Sequence, residues 1–182
     1  MICATGLWAY NYCLSPSKQN IVHYEHLIQI NDPNDPLLTP LSRTQLWRGL
    51  LRRVEQPQEF LVGVVTVKIL ERGEGWLKRE MLLGNLTVVD HITLDIEQRV
   101  HFDTAPSEQH QGGSFTMQIE EPTPDSLFIR FSYRTPLHEH RPEDTTADDA
   151  YFSDYVKTAY RDTDIDAVSW IRELAETGEL ED

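Results

Sequence analysis

Cysteine is scarce in this chain: 182 residues contain two, Cys3 and Cys13. No CxxC or Cys/His spacing accompanies them, so a structural zinc is not expected. A disulfide between the two would staple only the amino-terminal segment. Positive charge is also in short supply. Sixteen Lys and Arg face thirty Asp and Glu, a net charge of −14, which argues against nucleic acid and anionic membrane surfaces as partners. Long apolar runs are missing, and nothing approaches the roughly 18 residues of a membrane span. Residues 2–14 are moderately apolar, but no Lys or Arg precedes them, Asn11 interrupts them and no clean small-x-small site follows. They do not read as a signal peptide, and the expected compartment is the cytoplasm.

Catalytic punctuation is equally sparse. Gly73-x-Gly75 and Gly112-Gly113 fall in hairpin turns rather than at a strand-to-helix junction, which excludes a phosphate loop. No serine has a GxSxG setting and no thiol lies beyond the first residues, so a nucleophile-based hydrolase has no support. His138-x-His140, with Glu139 and Glu143 nearby, offers no further ligand set and reads as exposed loop histidines. Neither a metal nor a cofactor is expected.

What remains is the composition of a globular protein, 40% apolar and 25% charged. A unit of this size buries roughly 70% of its unfolded surface, enough for a real core. The acidic excess is local. Residues 143–182 hold thirteen acids and three bases, a net −10, leaving −4 for the rest; a solvated helix face is the simplest reading. We expect an irregular extension over 1–21 and one ligand-binding domain over 22–182.

Periodicity orders the elements. Residues 23–30 alternate as a strand, with Tyr24, His26, Ile28 and Ile30 on one face, and the proline-rich stretch 31–40 reads as a loop. Ser42 and Gln45 then form a capping box, and Leu41 with Leu46 a hydrophobic staple. The helix so started carries an apolar stripe of Leu46, Trp47, Leu50, Leu51 and Val54, with Arg43, Arg48, Arg52 and Arg53 expected elsewhere on its surface, until Pro57 stops it. From 62 to 135 the period is two. Strands are expected at 62–71, 76–87, 88–97, 99–103, 114–120 and 126–135, with a flexible loop at 104–112. Short connections make neighbours antiparallel. A last helix of about 28 residues, roughly 42 Å long, starts after a Thr146 cap. Its stripe runs through Phe152, Tyr155, Val156 and Ala159, then Ala167, Val168, Ile171 and Leu174, with a bend expected around 162–164. The fold class is α+β: a curved seven-stranded antiparallel sheet gripping a long terminal helix, with a short helical segment after the first strand.

Alternation also selects what points inward. Apolar inward sets are Val65, Val67 and Ile69; Leu77, Met81 and Leu83; Val88, Ile92 and Leu94; Val100 and Phe102; Phe115, Met117 and Ile119; and Leu127, Ile129 and Phe131. Four polar groups interrupt them: His26, Arg79, Asp90 and Tyr133. A buried charge costs several kcal/mol unless partnered. Arg79 and Asp90 therefore either pair as a structural ion pair or orient a ligand in an apolar pocket, and both readings stay open. The expected cavity-lining set is His26, Arg79, Asp90, Tyr133, Met81, Phe102, Met117, Phe131, Phe152 and Tyr155.

The runs EHLIQINDPNDPLL, LSRTQLWRGL, REMLLGNLTVVD, GGSFTMQIEEP and WIRELAETGEL resemble the AtaL-like family of the START/Bet v 1-like (SRPBCC) helix-grip superfamily, in order over about 22–180. The resemblance implies a helix-grip fold around a hydrophobic cavity, in a superfamily whose members bind lipids, steroids and polyketides and include cyclases and dehydratases. It supplies no catalytic motif to carry over. The expected function is binding of a small hydrophobic or aromatic molecule by a monomer or homodimer. The alternatives are a polyketide cyclase or dehydratase, with Arg79 or Tyr133 stabilising an enolate and His26 or Asp90 moving protons, and a protein–protein interaction module using the acidic terminal helix.

Overall fold

The structure is a computed structural model that describes residues 22–135 and 147–181, with the side chains of Val22 and of 147–153 left aside. The expected extension over 1–21, the Thr146 cap, the His138 and His140 loop and the side chain of Phe152 lie outside the described residues. The element order is β1 (Val22–Gln29), α1 (Arg43–Glu55), a single 3-10 turn (Pro57–Glu59), β2 (Val64–Gly73), β3 (Trp76–Leu83), β4 (Leu86–Asp95), β5 (Arg99–Thr104), β6 (Gly113–Thr123), β7 (Ser126–Thr135) and α2 (Ala147–Glu176).

The strands form one antiparallel sheet in the order β1-β7-β6-β5-β4-β3-β2, which leaves β1 and β2 as its edges. This is the α+β helix-grip arrangement expected from the sequence. The α1 capping box forms as read: Ser42 Oγ accepts from the Gln45 N–H at 3.0 Å, and Gln45 Oε1 accepts from the Ser42 N–H at 2.9 Å. Leu41 and Leu46 are both buried at that entry. Leu46, Leu50 and Val54 of α1 share one core with Val168, Ile171 and Leu174 of α2. The helices approach closely at Gly49, where a Cβ would stand 2.5 Å from Ile171 Cγ2.

Several expectations need correction. β3 ends at Leu83 because Gly84, with φ +59°, and Asn85 turn the chain into β4. The sheet register skips Val65 and Leu70 on β2, so both are bulged, and Val65 is exposed rather than inward. The 105–112 loop is tied down, since Gln109 Nε2 donates to Asn85 O and its Oε1 accepts from the Thr87 N–H. α2 runs as one helix of 30 residues, two longer than expected. Arg53 is not on the outer surface of α1; it is 7% exposed and enters the core.

Candidate functional site

Register places the site before any tertiary packing is considered. On the concave face, one cross-strand row runs Leu77, Ile92, Phe102, Phe115, Tyr133, Tyr24. The neighbouring row runs Arg79, Asp90, Thr104, Gly113. The first is apolar and aromatic, with Phe115 stacked 4.5 Å from Tyr133 and tilted against Phe102 at 5.3 Å. The second is polar and ends on a glycine. A rod laid over a trough leaves space, and here a cavity of about 390 Å³ opens between these rows, Arg53 of α1, and Tyr160 and Thr163 of α2.

Two charge clusters border it. In the first, Arg79 Nη2 donates to Asp90 Oδ2 at 2.6 Å and Nη1 donates to the Val54 carbonyl at 2.7 Å. Thr104 Oγ1 donates to the other Asp90 oxygen at 2.8 Å, and the Arg79 guanidinium lies 5.5 Å over the Phe102 ring. Among the described residues nothing accepts from Arg79 Nε, although it is buried. Buried donors are usually satisfied, so this one calls for an explanation.

The second cluster centres on Asp164, which is fully buried on α2. Arg53 Nη2 donates to its Oδ1 at 2.9 Å, and the Tyr133 hydroxyl donates to its Oδ2 at 2.5 Å. The Arg53 guanidinium also sits 5.4 Å from the Phe115 ring and 5.9 Å from Phe131. His26 Nε2 stands 3.3 Å from Asp164 Oδ2, but neither ring nitrogen makes an aligned hydrogen bond. The imidazole is stacked between Tyr24 and Phe131. Burial first, and the facing Asp164 carboxylate second, push the Tyr133 phenol well above its ordinary pKa. Tyr160 stacks on Tyr133 at 4.1 Å, and its hydroxyl is 3.2 Å from Thr135 Oγ1.

Of the ten side chains expected at the cavity, Arg79, Met81, Asp90, Phe102 and Tyr133 border it. His26, Met117 and Phe131 do not; they belong to the packed layer beside it, where Met117 and Phe131 are wholly buried. Tyr155 is 62% exposed. It precedes Tyr160 by five residues, which turns it about 140° away around the helix. Arg53, Asp164 and Tyr160 were not anticipated. A signal for each exists: Arg53 lies three residues after Leu50 and seven after Leu46, while Tyr160 and Asp164 extend the Ala167, Val168, Ile171 stripe backwards by two turns. Asp90 and Asp164 each accept a hydrogen bond at both carboxylate oxygens.

Residues 28–178 match the family model described as AtaL, acetylaranotin biosynthesis cluster protein L. Among solved structures, the chain is similar to the Zhui aromatase/cyclase from Streptomyces sp. R1128, at 15% identity and TM-score 0.58, over 86% of this chain and 96% of that one. It is similar to Ara h 8.0201 at 13% identity and TM-score 0.55, over 85% and 99%. It also matches the di-domain ARO/CYC StfQ of the steffimycin biosynthetic pathway at 13% identity and TM-score 0.62, over 87% of this chain and 52% of that one. These likenesses show that the chain shares the fold of those structures. No curated protein matches the chain.

Proposed function

Given that the chain belongs to the AtaL family, we propose that it binds one small, largely apolar or aromatic molecule in the cavity beneath α2. The observation that carries this is Arg79 Nε: a buried donor without a partner, beside a cavity walled by Phe102, Phe115 and Tyr133. A volume of about 390 Å³ falls within the ~300–1,000 Å³ of small-molecule pockets, which are apolar with a few convergent polar groups. A carbonyl or other acceptor on the ligand would complete Arg79, while the rings supply the contact area.

Titration with the dye 1-anilinonaphthalene-8-sulfonate tests this. One dye per chain is expected by native mass spectrometry, and Met81→Trp, which fills the cavity, should weaken binding at least tenfold while unfolding stays cooperative. Equal dye affinity in the two proteins would place the dye elsewhere and end the proposal.

A second reading draws on the same arginine. A guanidinium aimed at a developing enolate would suit ring closure or dehydration of a polyketide-like substrate. Asp90 and Asp164 are each bound to a buried arginine, a structural role that favours binding over this chemistry. Turnover of a linear poly-β-ketone, lost in Arg79→Ala with folding intact, would reverse that preference.

A further inference from the structure

The far end of the cavity from Arg79 has the opposite hydrogen-bonding sense. Arg79 lies on β3 and Tyr133 on β7, with Phe102 of β5 and Phe115 of β6 between them. A guanidinium only donates. A phenol has one proton and two lone pairs, and the Tyr133 proton is committed to Asp164 Oδ2 at 2.5 Å. Asp164 is in turn held in place by Arg53. Tyr133 lines the cavity, and its hydroxyl is left with lone pairs to offer and no proton to give.

We propose that Tyr133 is an acceptor that selects ligands bearing a hydroxyl or N–H at that end, so that the preferred ligand is an arene with a donor at one end and a carbonyl-type acceptor at the other. This rests on the cavity reading above and goes beyond it by fixing the ligand's polarity. It also removes Tyr133 from the role of enolate donor, since that role needs the phenol proton already donated to Asp164. Asp164 acts through Tyr133 and is a positioning residue: it fixes which way the phenol points without touching the ligand. The energetic reason for selectivity is asymmetry. A site built to pair with a ligand O–H rejects the analogue lacking it, because the protein acceptor is then desolvated without a partner.

Three fluorescent probes separate the ends: 6-hydroxy-2-acetylnaphthalene, its 6-methoxy counterpart, and 2-naphthol. Each is titrated against the full-length protein and against the protein preloaded with the anilinonaphthalene dye. The hydroxy ketone is expected to bind at least tenfold tighter than the methoxy ketone, and tighter than 2-naphthol, which lacks the acceptor for Arg79. Tyr133→Phe is expected to bring the hydroxy-to-methoxy ratio to near one, a readout that general loosening of the fold would not produce. Equal binding of the two ketones by the unaltered protein, with the dye still displaced, overturns the polarity assignment and leaves the cavity reading standing. Failure of both ketones to displace a cavity-bound dye also overturns it. The comparison in the unaltered protein decides the matter even if the variant fails to fold.

Discussion

Arg79, Asp90 and Thr104 are cross-strand neighbours, so their cluster is assembled by sheet register. Arg53 and Asp164 are 111 positions apart and meet only because α1 packs on α2. Both clusters pair a buried arginine with a buried carboxylate, yet they answer to different forces. The sheet cluster borders the cavity and keeps a donor in reserve. The helix cluster is closed, with every oxygen of a fully buried Asp164 engaged. One leaves a donor over; the other spends its charges on itself and commits the Tyr133 proton.

Removing the carboxylates should break this comparison most sharply. Asp164→Ala leaves Arg53 buried without a counter-charge and Tyr133 without an acceptor, a loss of about 3–5 kcal/mol in urea unfolding. Adding Arg53→Met should restore most of it, since an apolar replacement for a buried pair is often near neutral. Asp90→Asn keeps an oxygen for Arg79, lies where water or ligand reaches, and should cost about 1–3 kcal/mol. Equal losses for Asp164→Ala and Asp90→Asn would mean that the two clusters are energetically alike.

The smallest effect is read at alkaline pH. The folded Tyr133 phenol titrates above its unfolded value of 10.0, so above pH 10 the folded state keeps a proton that the unfolded chain gives up, and rising pH favours unfolding. Stability is fully present below pH 10 and falls above it, as the unfolded phenol ionises and the folded one does not. Tyr133→Phe should flatten that part of the pH–stability profile. An unchanged slope above pH 10 would show that the phenol is not held protonated by its surroundings.

The same contrast explains what could be read in advance. Alternation alone put Arg79, Asp90 and Tyr133 on inward faces, and a hairpin connection made the strands of Arg79 and Asp90 neighbours, so the sheet half of the site follows from local patterns. Arg53 sits on the buried stripe of α1, but an arginine in the last turn of a helix equally suits solvent and the helix dipole. Asp164 lies in the polar run Arg161–Asp164, where one turn of helix decides between exposure and burial. Stripe position is the one local signal at each, and it is offset by the cost of burying a lone charge, which the pairing of Arg53 with Asp164 removes. The bulges of β2 escaped for a similar reason. Val64-Val65-Thr66-Val67 is β-branched throughout, so composition does not mark which residue is the extra one.

Those two surplus residues have a consequence for how the molecule behaves among its own copies. An outermost strand presents unpaired amides and carbonyls that invite a second chain to zip on. By interrupting the regular spacing at Val65 and Leu70, β2 offers an incoming strand no long unbroken ladder. Bulges of this kind are one of the ways in which open borders carrying apolar side chains are kept from templating further strands.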